Sequence, residues 1–325
     1  MEKLLIKGGN ILKGEISCSG AKNAALPMIA ATILNDEEII FRNLPYLQDI
    51  TTMFELLGSM GANISLDESM DFSICANKLT DLEARYELVK TMRASILVLG
   101  PMVTKYGYAK IALPGGCAIG SRPVNFHLDA LKKLGASISL ENGYIEAKAD
   151  RLIGADIVFD GVTVTGTENI MMAACLAKGK TTLRNVAMEP EVSDLADFLN
   201  LMGAKIKGAG SELIEIEGVE YLNSTTYTIP ADRIEAGTYL VAAAATGGAI
   251  KINSIQPERL NNVIERLKFA GALIEVNANS ISLDMINKRP LPVDISTSPF
   301  PGFPTDMQAQ FSVLNALADG ESIVE

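Results

Sequence analysis

Hydrophobic and polar positions follow one pattern that returns several times along the chain. In each copy an apolar, helix-like stretch ends at a Gly-Ala pair, and the residues that follow alternate between apolar and polar. The pairs are Gly61-Ala62, Gly135-Ala136, Gly203-Ala204 and Gly271-Ala272. A repeat of about 70 residues indicates one folding unit that is copied along the chain.

Each copy predicts a helix, a short strand, a second helix and a β-hairpin. Asn142-Gly143 indicates one hairpin, because these residues are favoured in a type I′ turn. The first helix is apolar on nearly every side, as over residues 170–177, so protein should enclose it. The strands alternate, as over residues 213–217, so each sheet should have one solvated face. The pattern therefore predicts an α/β protein with helices inside and sheets outside.

The fifth copy is incomplete. It contains a first helix, over residues 307–317, and a turn at Gly320, but Glu325 is reached before a second helix and hairpin. Half a copy would leave a sheet edge unpaired, so we expect the natural polypeptide to continue. A length of 325 residues favours two domains.

Composition and charge exclude several classes of protein. The net charge of −11 argues against nucleic-acid binding, and the single histidine, His127, excludes paired-histidine zinc sites. The four cysteines show no C-x-x-C pattern, which predicts reduced thiols. No apolar stretch is long enough for a signal peptide or a membrane span. We therefore expect a cytoplasmic protein without a membrane partner.

The repeat also aligns a set of residues at the start of each first helix. Fourteen residues before each turn stand Lys22, Arg93, Thr165, Arg233 and Asp306. Cations are unfavourable at the positive end of a helix dipole, but together with free backbone N–H groups they form an anion site. If the helix starts converge, they would bind phosphate or carboxylate groups. Each residue alone could instead be a solvated side chain at a loop–helix junction.

Asp306 has two interpretations. Thr305-Asp306-Met307-Gln308 fits a capping box, which would give the acid a structural role. An acid at a position where other copies carry cations could instead be a general base that acts on a sugar or alcohol hydroxyl.

Residues 113–123 form the densest glycine segment, and Cys117 and Arg122 lie within it. Glycines allow a ligand to approach the backbone closely, and a nearby cation lowers the pKa of a thiol. Cys117 is therefore a candidate acid or nucleophile, with an uninvolved loop thiol as the alternative. His127 has no second histidine or acidic cluster beside it, so we interpret it as a hydrogen-bonding or ligand-orienting residue. Phosphate-loop and dinucleotide fingerprints are missing, and we expect no cofactor and no metal.

Several motifs carry a resemblance to a known family. They are Ser19-Gly-Ala-Lys22-Asn23, Lys90-Thr-Met-Arg93-Ala-Ser95, Leu113-Pro-Gly-Gly-Cys117-Ala-Ile-Gly-Ser-Arg122-Pro123, Glu189-Pro-Glu191, Asp232-Arg233-Ile-Glu-Ala-Gly-Thr238 and Phe303-Pro-Thr-Asp306-Met-Gln-Ala-Gln310. In these motifs, and over its whole length, the chain resembles the enolpyruvyl transferase (EPSP synthase-like) family. The Gly-Gly-Cys117 loop resembles that of the members acting on UDP-N-acetylglucosamine.

The resemblance implies a two-domain inside-out α/β barrel built from βαβαββ units, with C-terminal repeat material missing after Glu325. It implies a discontinuous first domain, residues 1–20 plus 231–325, and a second domain, residues 21–230, that carries the Cys117 loop. Substrates would bind in the cleft between the domains.

Roles for individual residues follow from the same resemblance. Lys22 and Arg122 would hold phosphoenolpyruvate. Cys117 would donate a proton, could form a covalent adduct and would be alkylated by fosfomycin. Asp306 would be the base near the sugar 3-hydroxyl. The expected UDP-N-acetylglucosamine contacts are Asn23, Arg93, Arg122, Pro123, Val124, Asn125, Phe126, Thr163 and Val164, and we place His127, Thr165, Arg233 and Thr305 with the substrate-binding residues. Thr165 stands where relatives often carry glycine.

The implied reaction is transfer of the enolpyruvyl group of phosphoenolpyruvate to the 3-hydroxyl of UDP-N-acetylglucosamine, with release of phosphate, in peptidoglycan synthesis. We expect a monomer that needs no cofactor. The alternative is an inactive, truncated homologue that only binds UDP-sugar.

Overall fold

The computed structural model describes residues 3–113 and 124–325. The chain divides into two compact units, and it passes from one to the other twice. Unit 1 consists of residues 1–19 and 231–325, and unit 2 of residues 20–230.

Helices and strands alternate along the described chain as the repeat predicts. The strands are β1 Lys13–Ser17, β2 Ile39–Arg42, β3 Asn63–Leu66, β4 Phe72–Cys75, β5 Glu83–Ala84, β6 Tyr108–Ala112, β7 Ser137–Glu141, β8 Tyr144–Lys148, β9 Asp156–Val158, β10 Lys180–Arg184, β11 Lys205–Lys207, β12 Leu213–Glu217, β13 Thr226–Thr228, β14 Ala249–Asn253, β15 Leu273–Asn277 and β16 Ser280–Asp284. The helices are α1 Lys22–Ala31, α2 Gln48–Met60, α3 Tyr86–Val89, α4 Leu99–Tyr106, α5 Asn125–Lys133, α6 Val164–Ala174, α7 Pro190–Leu201, α8 Arg233–Ala245, α9 Asn261–Phe269 and α10 Gln308–Ala316. Short 3₁₀ helices cover Thr32–Leu34, Arg93–Val98, Pro257–Leu260 and Thr305–Met307.

The Gly-Ala pairs end the second helix of each copy for a common reason. Gly61, Gly135, Gly203 and Gly271 have φ values of 109°, 97°, 104° and 96°, in the left-handed region that favours glycine. The N–H of each following alanine donates to the carbonyl five residues earlier, as from Ala62 to Leu57 at 3.0 Å. This is the Schellman arrangement, which satisfies a carbonyl at the end of the helix. The helix ends predicted from the repeat are confirmed.

The strands of the described residues form four separate four-stranded sheets with the same internal order. They are β1-β14-β16-β15, β13-β2-β4-β3, β5-β6-β8-β7 and β9-β10-β12-β11. In each, the first pair is parallel and the other two pairs are antiparallel. Asn142 and Gly143, both at positive φ, connect β7 to β8, so the predicted hairpin turn is confirmed. The described strands do not close into one continuous barrel.

Two of the sheets are completed by a strand that is distant in sequence from the other strands of the sheet. The amino-terminal β1 lies in unit 1, where it pairs with β14, and β13 completes the sheet of β2 in unit 2. A backbone hydrogen bond of 2.8 Å forms within each unit next to the points where the chain changes unit. Ala21 N–H donates to the Pro230 carbonyl in unit 2, and Asp232 N–H donates to the Ser19 carbonyl in unit 1.

Helices occupy the interior of unit 2, and its sheets have alternating buried and exposed positions. Residues 24–31 of α1 and 166–174 of α6 are buried, which confirms the predicted layering there. α10 in unit 1 differs, since Val313 is 58% exposed and only Phe311 and Leu314 of that helix are buried. Within the described residues α10, the first helix of the incomplete fifth copy, packs one face against α8. None of the helices in the described ranges combines the length and hydrophobicity of a bilayer span.

Candidate active site

Four helices begin at the residues that the repeat aligns. Lys22 begins α1, Arg93 begins the 3₁₀ helix before α4, Arg233 begins α8, and Thr165 is the second residue of α6. Asp306 lies in the 3₁₀ helix before α10. The predicted placement at helix starts is confirmed for all five positions. In unit 2, α1, α6 and the 3₁₀ helix Arg93–Val98 pack against one another, which brings three of the aligned segments together.

The start of α6 is capped by a predicted site residue. The Thr163 hydroxyl accepts a hydrogen bond from the Gly166 N–H at 3.2 Å, and Thr163 has extended backbone angles, as a capping residue requires. The Thr165 hydroxyl lies 3.4 Å from Nε2 of His127 on α5. The structure therefore brings Thr165 and His127 together.

His127 is 4% exposed, and its ring is held between α5 and α6. Its Nδ1 lies 2.9 Å from the amide nitrogen of Asn169. Burial and the positive charge of Arg93 lower the pKa of His127 to about 4, because both disfavour a second positive charge. His127 is therefore a neutral hydrogen-bonding group at neutral pH, in agreement with the first of its two predicted roles.

Lys22 forms an ion pair with an acid on a different helix. Its ammonium forms an ion pair of 2.9 Å with Asp49 at the start of α2, and both side chains are more than a third exposed. The neighbouring Asn23 is exposed. An ion pair this accessible to solvent is worth at most about 1 kcal/mol, so a bound anion could compete with Asp49 for Lys22.

The start of α5 carries three more predicted contacts. Asn125 is exposed, and Val124 and Phe126 are half-buried. The Phe126 ring packs on Gly161, where an added Cβ would approach the ring to 3.2 Å, so the segments before α5 and α6 touch. Cys117, Arg122 and Pro123 lie outside the described residues.

Unit 1 carries the remaining candidates. Arg233 is 7% exposed, and its guanidinium lies 6.0 Å from the centre of the Phe300 ring. Asp232 caps α8 by accepting hydrogen bonds from the N–H groups of Ile234 at 2.7 Å and Glu235 at 3.1 Å. Asp306 and Thr305 are exposed, and neither the 3₁₀ helix Thr305–Met307 nor α10 has a side-chain capping hydrogen bond. The capping-box interpretation of Asp306 is therefore wrong.

Three buried or paired residues were not found from the sequence: Asp49, Glu168 and Asn169. Asp49 carried a weak signal, as an acid in the first turn of α2. Glu168 and Asn169 interrupt the otherwise apolar α6, and this break in its hydrophobicity is the signal that could have found them. Cys175, by contrast, is confirmed as a core residue: it is fully buried, and burial raises its pKa to about 12.

An open groove of about 620 Å³ lies on the sheet of unit 1. Strand residues including Glu15, Lys251 and Glu275 line it, and no predicted site residue does. The groove therefore does not define the candidate site.

The fold is that of the enolpyruvyl transferases. The enolpyruvyl transferase NikO of Streptomyces tendae superimposes with a TM-score of 0.84 at 23% identity, over 98% of this chain and 76% of that one. An EPSP synthase of Acinetobacter baumannii superimposes with a TM-score of 0.71 at 18% identity, over 98% of this chain and 74% of that one.

The sequence places the chain within one family. Residues 6–325 match the model of EPSP synthase (3-phosphoshikimate 1-carboxyvinyltransferase), and the chain belongs to this family. It is 54% identical to the UDP-N-acetylglucosamine 1-carboxyvinyltransferase of Hydrogenovibrio crunogenus, over all 325 residues of this chain and 78% of that protein.

Proposed function

We propose that this protein transfers the enolpyruvyl group of phosphoenolpyruvate to the 3-hydroxyl of UDP-N-acetylglucosamine and releases phosphate, a step of peptidoglycan synthesis in the cytoplasm. The observation that carries the proposal is the 54% identity, over the whole chain, to an enzyme named for this substrate. The alternative, a homologue that only binds UDP-sugar, is not favoured by that similarity.

The reaction adds the sugar alcohol across the carbon–carbon double bond of phosphoenolpyruvate, which is an enol phosphate. Elimination of phosphate then leaves an enol ether. Cations that face the phosphate and carboxylate stabilise the charge that develops, in a site from which water is excluded. In the proposal, Lys22 and Arg122 bind phosphoenolpyruvate, while Arg93 and the starts of α5 and α6 bind the nucleotide-sugar. Support comes from the placement of Lys22 and Arg93 at helix starts, where free N–H groups add to the positive potential.

Proton transfers in the proposal are divided between two side chains. Asp306 removes the proton of the sugar hydroxyl as that oxygen attacks, and Cys117 supplies a proton to the methylene carbon, which becomes a methyl group. As the C–O bond to phosphate breaks, the methyl group returns one proton to the Cys117 thiolate and the double bond re-forms. The place of Asp306 at a helix start equivalent to those of Lys22 and Arg93 supports its assignment as the base.

Phosphate release tests the proposal directly. Purified protein should release phosphate from phosphoenolpyruvate only when UDP-N-acetylglucosamine is present. Asp306→Asn, which keeps the shape of the side chain but removes the base, should lower kcat by about 10²- to 10⁴-fold. Phosphate release that does not depend on the sugar nucleotide would refute the assignment.

A substitution of Cys117 tests its role as an acid. Cys117→Asp keeps a group that can donate a proton but removes the thiol, so turnover should continue while fosfomycin no longer inactivates the protein. The rate of phosphate release, measured for the parent protein and for Cys117→Asp after incubation with fosfomycin, compares their sensitivity to the inhibitor. Unchanged sensitivity of Cys117→Asp would remove this cysteine from the site.

A further inference from the structure

Asn169 is completely buried on α6, and its side chain makes three hydrogen bonds in unit 2. Its amide oxygen accepts from the Gly100 N–H of α4 at 2.7 Å. Its amide nitrogen donates to the Ile96 carbonyl at 3.1 Å and lies 2.9 Å from Nδ1 of His127. The side chain thus connects three segments of the helical core to one imidazole ring.

The two backbone groups fix which way the amide points. The Gly100 N–H can only donate and the Ile96 carbonyl can only accept, so exchanging the amide oxygen and nitrogen of Asn169 would create two repulsive pairs. The group that faces Nδ1 is therefore an N–H donor. Nδ1 of His127 must accept, and the single proton of the neutral ring must be on Nε2.

The proton on Nε2 determines the orientation of the Thr165 hydroxyl. Nε2 faces the Thr165 hydroxyl oxygen at 3.4 Å, so that oxygen is the acceptor. The hydroxyl proton of Thr165 then points away from His127. Thr165 is half-buried, whereas His127 is buried, so the hydroxyl is the end of this chain of hydrogen bonds that solvent or a ligand can reach.

We propose that Asn169 is a positioning residue: it fixes His127 as the neutral Nε2–H tautomer, which makes the Thr165 hydroxyl donate to an acceptor oxygen of the nucleotide-sugar. The ligand contact rests on the proposed function, while the tautomer does not. The lowered pKa of His127 supports the neutral state, with Arg93 as the neighbouring charge that opposes protonation.

Nuclear magnetic resonance tests the tautomer without any substitution, because the chain has a single histidine. In protein labelled with ¹⁵N-histidine, Nδ1 should resonate as an unprotonated nitrogen and Nε2 as a protonated one between pH 6 and pH 8. A ring protonated on Nδ1 would overturn the proposal.

Asn169→Asp tests the donor. A carboxylate can only accept, so it should move the ring proton to Nδ1 or stabilise the doubly protonated ring, and the pKa of His127 should rise. An unchanged tautomer and an unchanged pKa in folded Asn169→Asp would also overturn the proposal. If this variant does not fold, the spectrum of the unsubstituted protein still decides the question.

Steady-state kinetics test the ligand contact. Thr165→Val keeps the shape of the side chain and removes the hydroxyl, so KM for UDP-N-acetylglucosamine should rise about three- to tenfold, the usual effect of one hydrogen bond. KM for phosphoenolpyruvate should stay within about twofold. Thr51→Val, on the exposed face of α2, is the matched control and should change neither constant.

An unchanged KM for UDP-N-acetylglucosamine in Thr165→Val would overturn the ligand contact. Absence of phosphate release by the unsubstituted protein would instead refute the proposed function, and the resonance result on His127 would stand independently.

Discussion

Glu168 lies in the interior of unit 2, 2% exposed, and its Oε1 has no hydrogen-bond partner among the described residues. Burial raises the pKa of Glu168 well above its ordinary value of 4.5, and the negative charges of Glu191 and Glu189 raise it further. The native protein therefore keeps a proton on Glu168 at pH values where the unfolded chain has lost it. Its contribution to stability is complete below about pH 4.5 and is lost as the pH rises through the folded-state pKa.

Glu168→Gln should abolish the loss of stability with rising pH, since glutamine resembles the protonated acid and does not ionise. At pH 8 we expect the variant to be more stable by about 1 kcal/mol or more, because each unit by which the folded-state pKa exceeds the unfolded-state pKa costs the parent about 1.4 kcal/mol. At pH 4 the two proteins should be similar. Urea denaturation at both pH values measures the difference.

Glu55→Gln on the exposed surface of α2 is the control, and it should shift the unfolding free energy by less than about 0.5 kcal/mol at either pH. A Glu168→Gln protein that is less stable than its parent at pH 8 would show that the carboxylate is ionised and paired.

Individual site residues were predictable to different degrees. Lys22, Arg93 and Arg233 could be found because the repeat places them at equivalent helix starts. The polar break in α6 marks Asn169, but its role could not be predicted, because that role depends on Gly100 and His127, which are distant along the chain and meet only after the helices pack. Periodicity reports which face of a helix is buried, and it carries no information on such contacts.

Helices α4 and α6 approach each other at a position without a side chain. A Cβ added to Gly100 would lie 2.4 Å from both the carbonyl oxygen and the amide oxygen of Asn169. These helices can therefore pack at this distance only with glycine at position 100. The same contact holds the Asn169 amide in place, so the spacing of the helices and the orientation of His127 are coupled.

Gly100→Ala should destabilise the protein by about 1–3 kcal/mol or more, as expected when a close-packed interior is overfilled. Gly58→Ala is the matched control: Gly58 is an exposed residue of α2 with open space around it, and alanine there should add about 0.5–1 kcal/mol of stability. Urea denaturation compares the two. Equal effects of both substitutions would show that the helices can move apart without cost.

The helices and strands themselves were largely predictable, since each boundary has a local cause. Gly61 and its three equivalents end helices through their backbone conformation, and Asn142-Gly143 forms its hairpin in the same way. The exposure of α10 had a signal in the sequence, because this helix is more polar than the enclosed helices α1 and α6. Four of its nine residues are Gln308, Gln310, Ser312 and Asn315. What covers a helix depends on its neighbours in space.

Unit 2 is one continuous stretch of chain that contains all strands of its three sheets, because β13 completes the sheet of β2. Unit 1 needs both ends of the described chain, because β1 forms the edge of its sheet beside β14. The two units therefore differ in whether a single segment carries a complete set of strands.

Residues 20–230, produced alone, should unfold in a cooperative transition with urea. Residues 231–325 alone should lose protection from hydrogen exchange at the β14 amides that face β1, while β16 still pairs with the other edge of β14. Adding a peptide of residues 3–19 should restore that protection. Full protection of β14 without the peptide would show that β1 is dispensable.

The late pairing of β1 has a consequence for biosynthesis. The first 19 residues leave the ribosome early, but β14 becomes available only after residue 253, which at about 5–20 residues per second takes roughly 10 to 50 s. During that time β1 is a nascent strand with no partner. Lys13 and Glu15 make it a poor template for association with other chains, as charges on edge strands do. Strand β1 is thus translated before unit 2 and finds its partner only after unit 2 has been translated.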